Sequence, residues 1–306
     1  MAETGGRGEQ AAAAAQIGGA VTAQIGAAIG TSAFPIAGPA PVIAVRQAFA
    51  AIVFLVIARP PVHRMTWRQL WPTFVLAAAL VVMNLAIYFA IERLGLGLAI
   101  TLEFLGPLAV ALVASRRRID AVLAVAAFGG VALLTGTVPG IDPIGIVFAL
   151  VGAVGWAGYI VFSQVAGQRL PGLQGSAIAM TLAAVCTLPI LVIALVGLEP
   201  AAALRLVLLG LAASVLSTLI PNAIDMTVLR RMRRELFGVL QSAQPALAAL
   251  VGFIGLGQVL SGWQLAGLVL ISAINAIAVV AAGWPRRRAG AAPPTEPIPV
   301  IGAGDG

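Results

Sequence analysis

The sequence has very little charge for its length. Only 9% of its 306 residues are charged, and lysine is absent, so all 18 basic residues are arginine. A soluble domain carries about 25% charged residues, and a disordered chain needs low hydrophobicity, whereas 60% of this chain is hydrophobic and its mean hydropathy is +1.04. The shortage of charge therefore excludes a soluble enzyme and a disordered chain.

Cysteine and histidine are almost as scarce. The single cysteine, Cys186, excludes a disulfide framework and a cysteine-based zinc site. The single histidine, His63, stands beside Arg64 between two apolar runs, and neither HExxH, GxSxG nor a Walker A pattern occurs. We therefore expect no enzyme activity, no metal site, no cofactor and no ATP-driven transport by this chain alone.

Long apolar runs dominate what remains, and they predict an all-α polytopic membrane protein. A helix needs roughly 20 apolar residues to cross a bilayer, and Pro–Pro and Pro–Gly pairs separate the runs. We predict ten transmembrane helices, at 12–33, 40–58, 69–91, 95–114, 120–138, 143–163, 174–197, 203–228, 236–258 and 263–283.

The arginines orient these helices. If residues 1–11 form a cytoplasmic N-terminal tail, most arginine clusters fall on the cytoplasmic side, and only Arg93 and Arg205 lie in outer loops. Residues 284–306, rich in proline and glycine, then form a disordered cytoplasmic tail. A net charge of +7 would suggest nucleic acid for a soluble protein. Here the clusters act as topology signals that touch membrane lipids, so we expect no nucleic-acid partner.

An offset of 138 residues indicates an internal repeat. It aligns Asn84 with Asn222, Glu103 with Gln241 and Pro107 with Pro245. The two halves, 12–138 and 143–283, would each hold five helices, and because five is odd the second half enters from the opposite side. Such inverted repeats are typical of secondary transporters, whose substrate site lies between the halves.

Glu103 is the strongest candidate for a binding site. It lies near the middle of a predicted span, where an ionisable side chain costs at least about 2.5–3.5 kcal/mol on insertion scales and usually faces a cavity or a partner. Gly106 and Pro107 follow on the same helical face, and Pro107 has no N–H to donate to the carbonyl of Glu103. This helix break predicts an amine or proton site; the alternative is a buried, protonated carboxyl group.

Two other charges allow more than one interpretation. Arg46, inside the second span, either extends to the lipid headgroups or lies in the cavity, where it would bind a substrate carboxylate or pair with Glu103. Asp225 lies one turn from the Arg230–Arg234 cluster, so a salt bridge at the membrane edge is the simpler interpretation and a functional role the alternative.

Uncharged polar and aromatic residues complete the candidate site. Asn84 and Asn222 either bind substrate or bond between helices. Gln241 and Gln244 precede a second helix break at Pro245, as Glu103 and Gly106 precede Pro107. Trp156 and Tyr159 lie mid-helix, away from the membrane interfaces, and either line a pocket or simply pack.

Several segments resemble a known family. They are LGLGLAITLEFLGPLAVALVASRR (94–117), GAVGWAGYIVFSQVAG (152–167), LSTLIPNAIDMTVLRRM (216–232), FGVLQSAQPALAALVGFIGLGQ (237–258) and, more loosely, FPIAGPAPVIAVRQAFA (34–50). Together they resemble bacterial threonine/homoserine exporters of the EamA-type drug/metabolite transporter superfamily. The resemblance implies ten helices in inverted repeats, a central cavity, an inner-membrane location and export of amino acids or similar metabolites. Asp225 stands where such exporters often carry Glu.

We therefore expect a secondary transporter that exports small amino acids, with protons as coupling ion through Glu103 and alternating access between the halves. Export of purine-like compounds or drugs on the same fold is the alternative. A membrane scaffold or channel is the non-transport alternative.

The arginine distribution generates a test of topology. A reporter fused after Arg288 is expected to lie on the cytoplasmic side, because an even number of spans returns the chain to the side of its N-terminus. Reporter activity measured in intact cells distinguishes the two sides, and a periplasmic signal would contradict the ten-helix prediction.

Overall fold

A computed structural model describes residues 2–115, 118–135, 142–228 and 234–283, and over these ranges the chain is helical with no β-strand. We number fourteen α-helices within them. A 3₁₀ turn at Val62–Arg64 precedes α4, and a π-helical segment at Val215–Leu219 joins α10 to α11. The helices are α1 (Ala2–Thr31), α2 (Phe34–Ala37), α3 (Pro39–Ala58), α4 (Trp67–Leu94), α5 (Leu96–Glu103), α6 (Leu105–Ser115), α7 (Arg118–Thr135), α8 (Pro143–Arg169), α9 (Gln174–Gly197), α10 (Pro200–Ser214), α11 (Ile220–Val228), α12 (Arg234–Gln241), α13 (Gln244–Leu256) and α14 (Gly262–Gly283).

The chain is an integral membrane protein with many spans. Nine helical stretches of the described ranges are long and apolar enough to cross a bilayer, whereas the apolar part of α7, Ala121–Thr135, is shorter. Residues 136–138, the end of the fifth predicted span, lie outside the described ranges, as does the predicted tail at 284–306. The helices also extend past several predicted ends, since α1 begins at Ala2 and α8 continues to Arg169.

Three of the predicted spans are interrupted helices. The span at 95–114 divides at Phe104, the span at 236–258 divides at Ser242 and Ala243, and the span at 203–228 contains the π-helical segment. Each interruption precedes a proline within three residues, at Pro107, Pro245 and Pro221. A proline removes one backbone hydrogen bond and crowds the preceding turn, so the helix gives way on the N-terminal side of the ring.

Hydrogen bonds fix several helix ends on the membrane surface. Thr66 and Gln69 form a capping box that starts α4 two residues before the predicted start. Asp142 caps α8 by accepting from the Ile144 amide, and it also accepts from Arg93 at 2.6 Å. The Arg93 hydrogen bond holds the pKa of Asp142 below its ordinary value, so this carboxylate stays charged at neutral pH and ties α4 to α8.

Glycines allow the closest contacts between helices. Helix α8 lies along α4, where a Cβ on Gly155 would stand 2.8 Å from the Met83 backbone. Helix α1 likewise packs on α10, the π-helical segment and α11, where a Cβ on Gly26 would stand 2.6 Å from the Ser217 nitrogen. Small residues at such positions let backbones approach closely in membranes.

The remaining contacts complete the bundle. Helices α3 and α9, α5 and α13, and α7 and α14 pack in pairs. Large apolar side chains cover the outside; Val154 of α8 and Ile193 of α9, for example, are 73% and 74% exposed. In a soluble protein such a surface would mark an interaction site, whereas here it contacts lipid.

The α4–α8 contact provides a matched pair of substitutions. Gly155→Ala is expected to lower the melting temperature of the purified protein by several degrees, because the new methyl group meets backbone that has no free space. Gly158→Ala, one turn further, places its Cβ an ordinary 3.5 Å from Ala79 and is expected to leave the melting temperature unchanged or higher. Equal melting temperatures for the two variants in detergent would contradict this packing.

Candidate functional site

A cavity of about 320 Å³ lies at the centre of the bundle. Helices α1, α3, α4, α5, α8, α9, α11, α12 and α13 and the π-helical segment all contribute side chains to its wall. The volume lies at the small end of the range for ligand sites, about 300–1,000 Å³. Among the described residues, no three His, Cys, Asp or Glu side chains cluster as metal ligands would.

The cavity brings together every residue that the sequence analysis names as substrate-binding. Those residues come from seven different helices, and Asp225 joins them on the same wall. The eight are Arg46, Asn84, Glu103, Trp156, Tyr159, Asn222, Gln241 and Gln244.

Glu103 is the last residue of α5 and precedes the interruption at Phe104. Its side chain is buried, and Gly152 of α8 lies beside it, where a Cβ would stand in ordinary contact at 3.5 Å from the carboxylate. Within the described ranges the carboxylate has neither a hydrogen bond nor an ion-pair partner. Burying a carboxylate without a partner costs free energy, so Glu103 is suited to bind a cation or a proton.

Arg46 is buried in the cavity wall rather than extended to the lipid headgroups. Its guanidinium carbon lies 4.7 Å from the centre of the Tyr88 ring, and its Nη2 donates to the Thr218 hydroxyl at 3.4 Å. The Nε and Nη1 groups are buried without an acceptor. Arg46 forms no ion pair with Glu103, although the two side chains interact electrostatically at the same cavity.

Two residues beside Arg46 are missing from the sequence-based site. Tyr88 is buried and its hydroxyl interacts with Arg46; Gln47 accepts from Thr187 at 3.0 Å, while its Nε2 is buried without an acceptor. Both line the cavity, so the donors without acceptors around Arg46 form a cluster. Tyr88 lies one helical turn after Asn84, and that spacing was the available signal for it.

A chain of amides lines another part of the wall. Gln24 donates to Gln244 at 3.3 Å, and Gln244 donates to Gln241 at 2.5 Å. Gln16 donates to Asp225 at 3.0 Å. Neither Gln16 nor Gln24 belongs to the site predicted from the sequence, although their spacing of eight residues places them on one face of α1.

The structure shows a partner for Asp225 other than the arginines predicted from the sequence. Arg230, Arg231 and Arg233 lie outside the described residues, and the described partner of Asp225 is Gln16. Its placement in the cavity wall makes it part of the site as well as of the helix contact.

The two asparagines that the repeat aligns have the same local structure. Asn84 donates to the Leu80 carbonyl at 2.8 Å, and Asn222 donates to the Thr218 carbonyl at 2.6 Å, each one turn back on its own helix. Neither makes the interhelical bond that was the alternative, and both line the cavity.

Aromatic rings form the wall contributed by α8. The Trp156 ring packs edge-on against Phe104, with their centres 4.7 Å apart, directly beside Glu103. Tyr159 follows one turn later and also lines the cavity. The site therefore combines a free carboxylate, a guanidinium with free N–H groups, several amides and an aromatic wall.

Comparison with known proteins identifies the family. The model of the EamA-like transporter family matches residues 143–280. The chain is 37% identical over 258 residues to the threonine/homoserine exporter RhtA of Escherichia coli K12, and 36% identical over the same length to RhtA of Salmonella typhimurium LT2; each alignment covers 82% of this chain and 85% of the relative. The chain belongs to the EamA-like transporter family.

Two more distant proteins are also similar to this chain. The uncharacterized transporter YvbV of Bacillus subtilis 168 is 23% identical over 154 residues, which cover 46% of this chain and 50% of YvbV. A solved crystal structure at 19% identity covers 91% of this chain and 99% of its own, with a TM-score of 0.57. It shares the fold of this EamA-like protein.

Proposed function

We propose that this EamA-like transporter exports small amino acids of the threonine or homoserine kind, or closely related metabolites, across the bacterial inner membrane. The names of its relatives in Escherichia coli and Salmonella support this proposal, since they align over 85% of their length. The cavity supplies the independent support, because its polar groups suit such a substrate.

The observation that carries the proposal is the pair of opposite, unpaired charges at one cavity. A free amino acid has an ammonium group that needs a negatively charged acceptor and a carboxylate that needs donors. Glu103 offers the first, and the Nε and Nη1 groups of Arg46 offer the second. A guanidinium binds carboxylates through paired N–H groups, and charge-assisted hydrogen bonds are the stronger kind. A substrate with an ammonium group and a carboxylate would therefore bind Glu103 and Arg46 at the same time.

The proposal includes ten helices in two inverted halves, 12–138 and 143–283, with both termini in the cytoplasm. The packing supports it, since the contact of α4 with α8 has a counterpart in the contact of α1 with α10 and α11. The interruptions also correspond, because the 138-residue offset places Phe104 on Ser242. Broken helices at matching places are typical of transporters with inverted repeats.

Export would be coupled to protons through Glu103. A carboxyl group that is buried and has no ion pair can exchange a proton when the cavity opens to either side. Proton entry would then drive the amino acid outward by alternating access between the two halves. The aromatic side chains of Trp156 and Tyr159 in the cavity wall favour a second candidate substrate, a flat purine-like compound that would stack on a ring.

Substitution of Glu103 tests the binding role. In proteoliposomes, Glu103→Gln is expected to reduce threonine and homoserine efflux at least about tenfold, since hydrogen bonds to charged groups are worth about 1.5–3 kcal/mol. Expression and melting temperature are expected to stay near those of the wild type. Glu92→Gln is the control, because Glu92 is exposed near the end of α4 and lies outside the cavity. Unchanged efflux by Glu103→Gln would make Glu103 structural, and efflux of purines alone would favour the second candidate.

A second experiment tests the coupling ion. Wild-type proteoliposomes are expected to move threonine against its gradient when an inward proton gradient is imposed, and to lose that movement when an uncoupler collapses the gradient. Glu103→Gln is expected to lose gradient-driven accumulation while keeping more of its counterflow at matched pH. Uphill efflux that persists in the wild type without a proton gradient would disprove the coupling.

A further inference from the structure

A second, much smaller cavity adjoins the central one where α1 packs on α11 and α12. Its volume is about 20 Å³, and Gly19, Ala20 and Ala23 form its wall on α1. Asp225 and Gln244 line both cavities, so the two are neighbours. A space of this size holds one water-sized group.

Gln16 and Asp225 supply acceptors at this small cavity, and the amides of Gln241 and Gln244, which are hydrogen-bonded to each other, also line it. The Asp225 Oδ1 accepts from the Gln16 Nε2 at 3.0 Å. Because a carboxylate only accepts, this bond fixes the orientation of the amide. The Oε1 of Gln16 is then buried with no donor, on a side chain that is 2% exposed. The second carboxylate oxygen of Asp225 also has no donor among the described residues.

These acceptors select one class of ligand. A carboxylate oxygen and an amide oxygen without donors repel an anion, and two protein oxygens are too few for Ca²⁺, which takes six to eight. An ammonium group carries three N–H donors and a positive charge, and it is about the size of a water molecule. The small side chains of α1 leave room for that head group alone, so the rest of a substrate would stay in the central cavity.

We infer that Gln16 and Asp225 form a second binding site for the ammonium group of the exported substrate, separate from Glu103. The inference rests on the proposed function for the identity of the amine. Residues of α8 connect the two sites: Tyr159 interacts electrostatically with Asp225, and Trp156, one turn away, packs on Phe104 beside Glu103. Asp225 is nearer the end of the bundle that the arginines assign to the cytoplasm, so the amine reaches Asp225 first and Glu103 second.

Transport kinetics test this order. Proteoliposomes loaded with graded concentrations of L-threonine give the apparent KM for efflux. Asp225→Asn and Gln16→Met, which removes the amide without changing a charge, are each expected to raise that KM about tenfold and to leave the maximal rate within about twofold of the wild type. Thr227→Val is the control, because Thr227 is exposed on the same helix and bonds only to its own Ala223 carbonyl.

The outcomes separate this inference from the proposed function. An unchanged KM in both variants overturns the second site, and so does a lower maximal rate at unchanged KM, which would give Asp225 a role in proton movement instead. If the wild type moves neither threonine nor homoserine, the proposed function fails, and methylammonium then tests the site alone. Methylammonium is expected to raise the melting temperature of the wild type and of Thr227→Val but not of Asp225→Asn; equal shifts in all three would overturn the site.

Discussion

A chain within a bilayer must satisfy its backbone hydrogen bonds internally, and this constraint places the cavity. Proline removes one such bond, so a broken helix is tolerated only where protein or an aqueous cavity surrounds it. Pro107, Pro221 and Pro245 follow the three interruptions, and residues adjoining all three, including Glu103, Thr218 and Gln244, line the central cavity. The same prolines therefore explain both the helix breaks and the position of the cavity.

Close helix contacts then hold the charges in position. The glycines of α8 bring its backbone against α4, while the Tyr88 ring supports the guanidinium of Arg46. A cation over an aromatic face is stabilised without a counter-ion. The two side chains consequently lie at one cavity without forming an ion pair.

The sequence was sufficient for most of the fold because scarce charge and long apolar runs leave few alternatives. It predicted α9 to the residue and located the helix breaks at Pro107 and Pro245. It did not predict the π-helical segment before Pro221 or the extension of α8 to Arg169. The sequence-based site lacked Tyr88, Gln47, Gln16 and Gln24. In an alanine-rich helix, glutamines only lower the hydrophobicity of a predicted span. Their role depends on partners more than 100 residues away in the chain, such as Thr187 for Gln47. A single sequence does not show which of these distant residues form pairs.

The composition of α1 has a consequence for how the protein is made. This helix consists largely of alanine and glycine, which contribute little transfer energy, and it carries two buried glutamines. Their hydrogen-bond partners are Asp225 and Gln244, more than 200 residues later in the chain. Because α11 and α13 are translated long after α1, the two glutamines obtain these hydrogen bonds only after the C-terminal half of the bundle has been made.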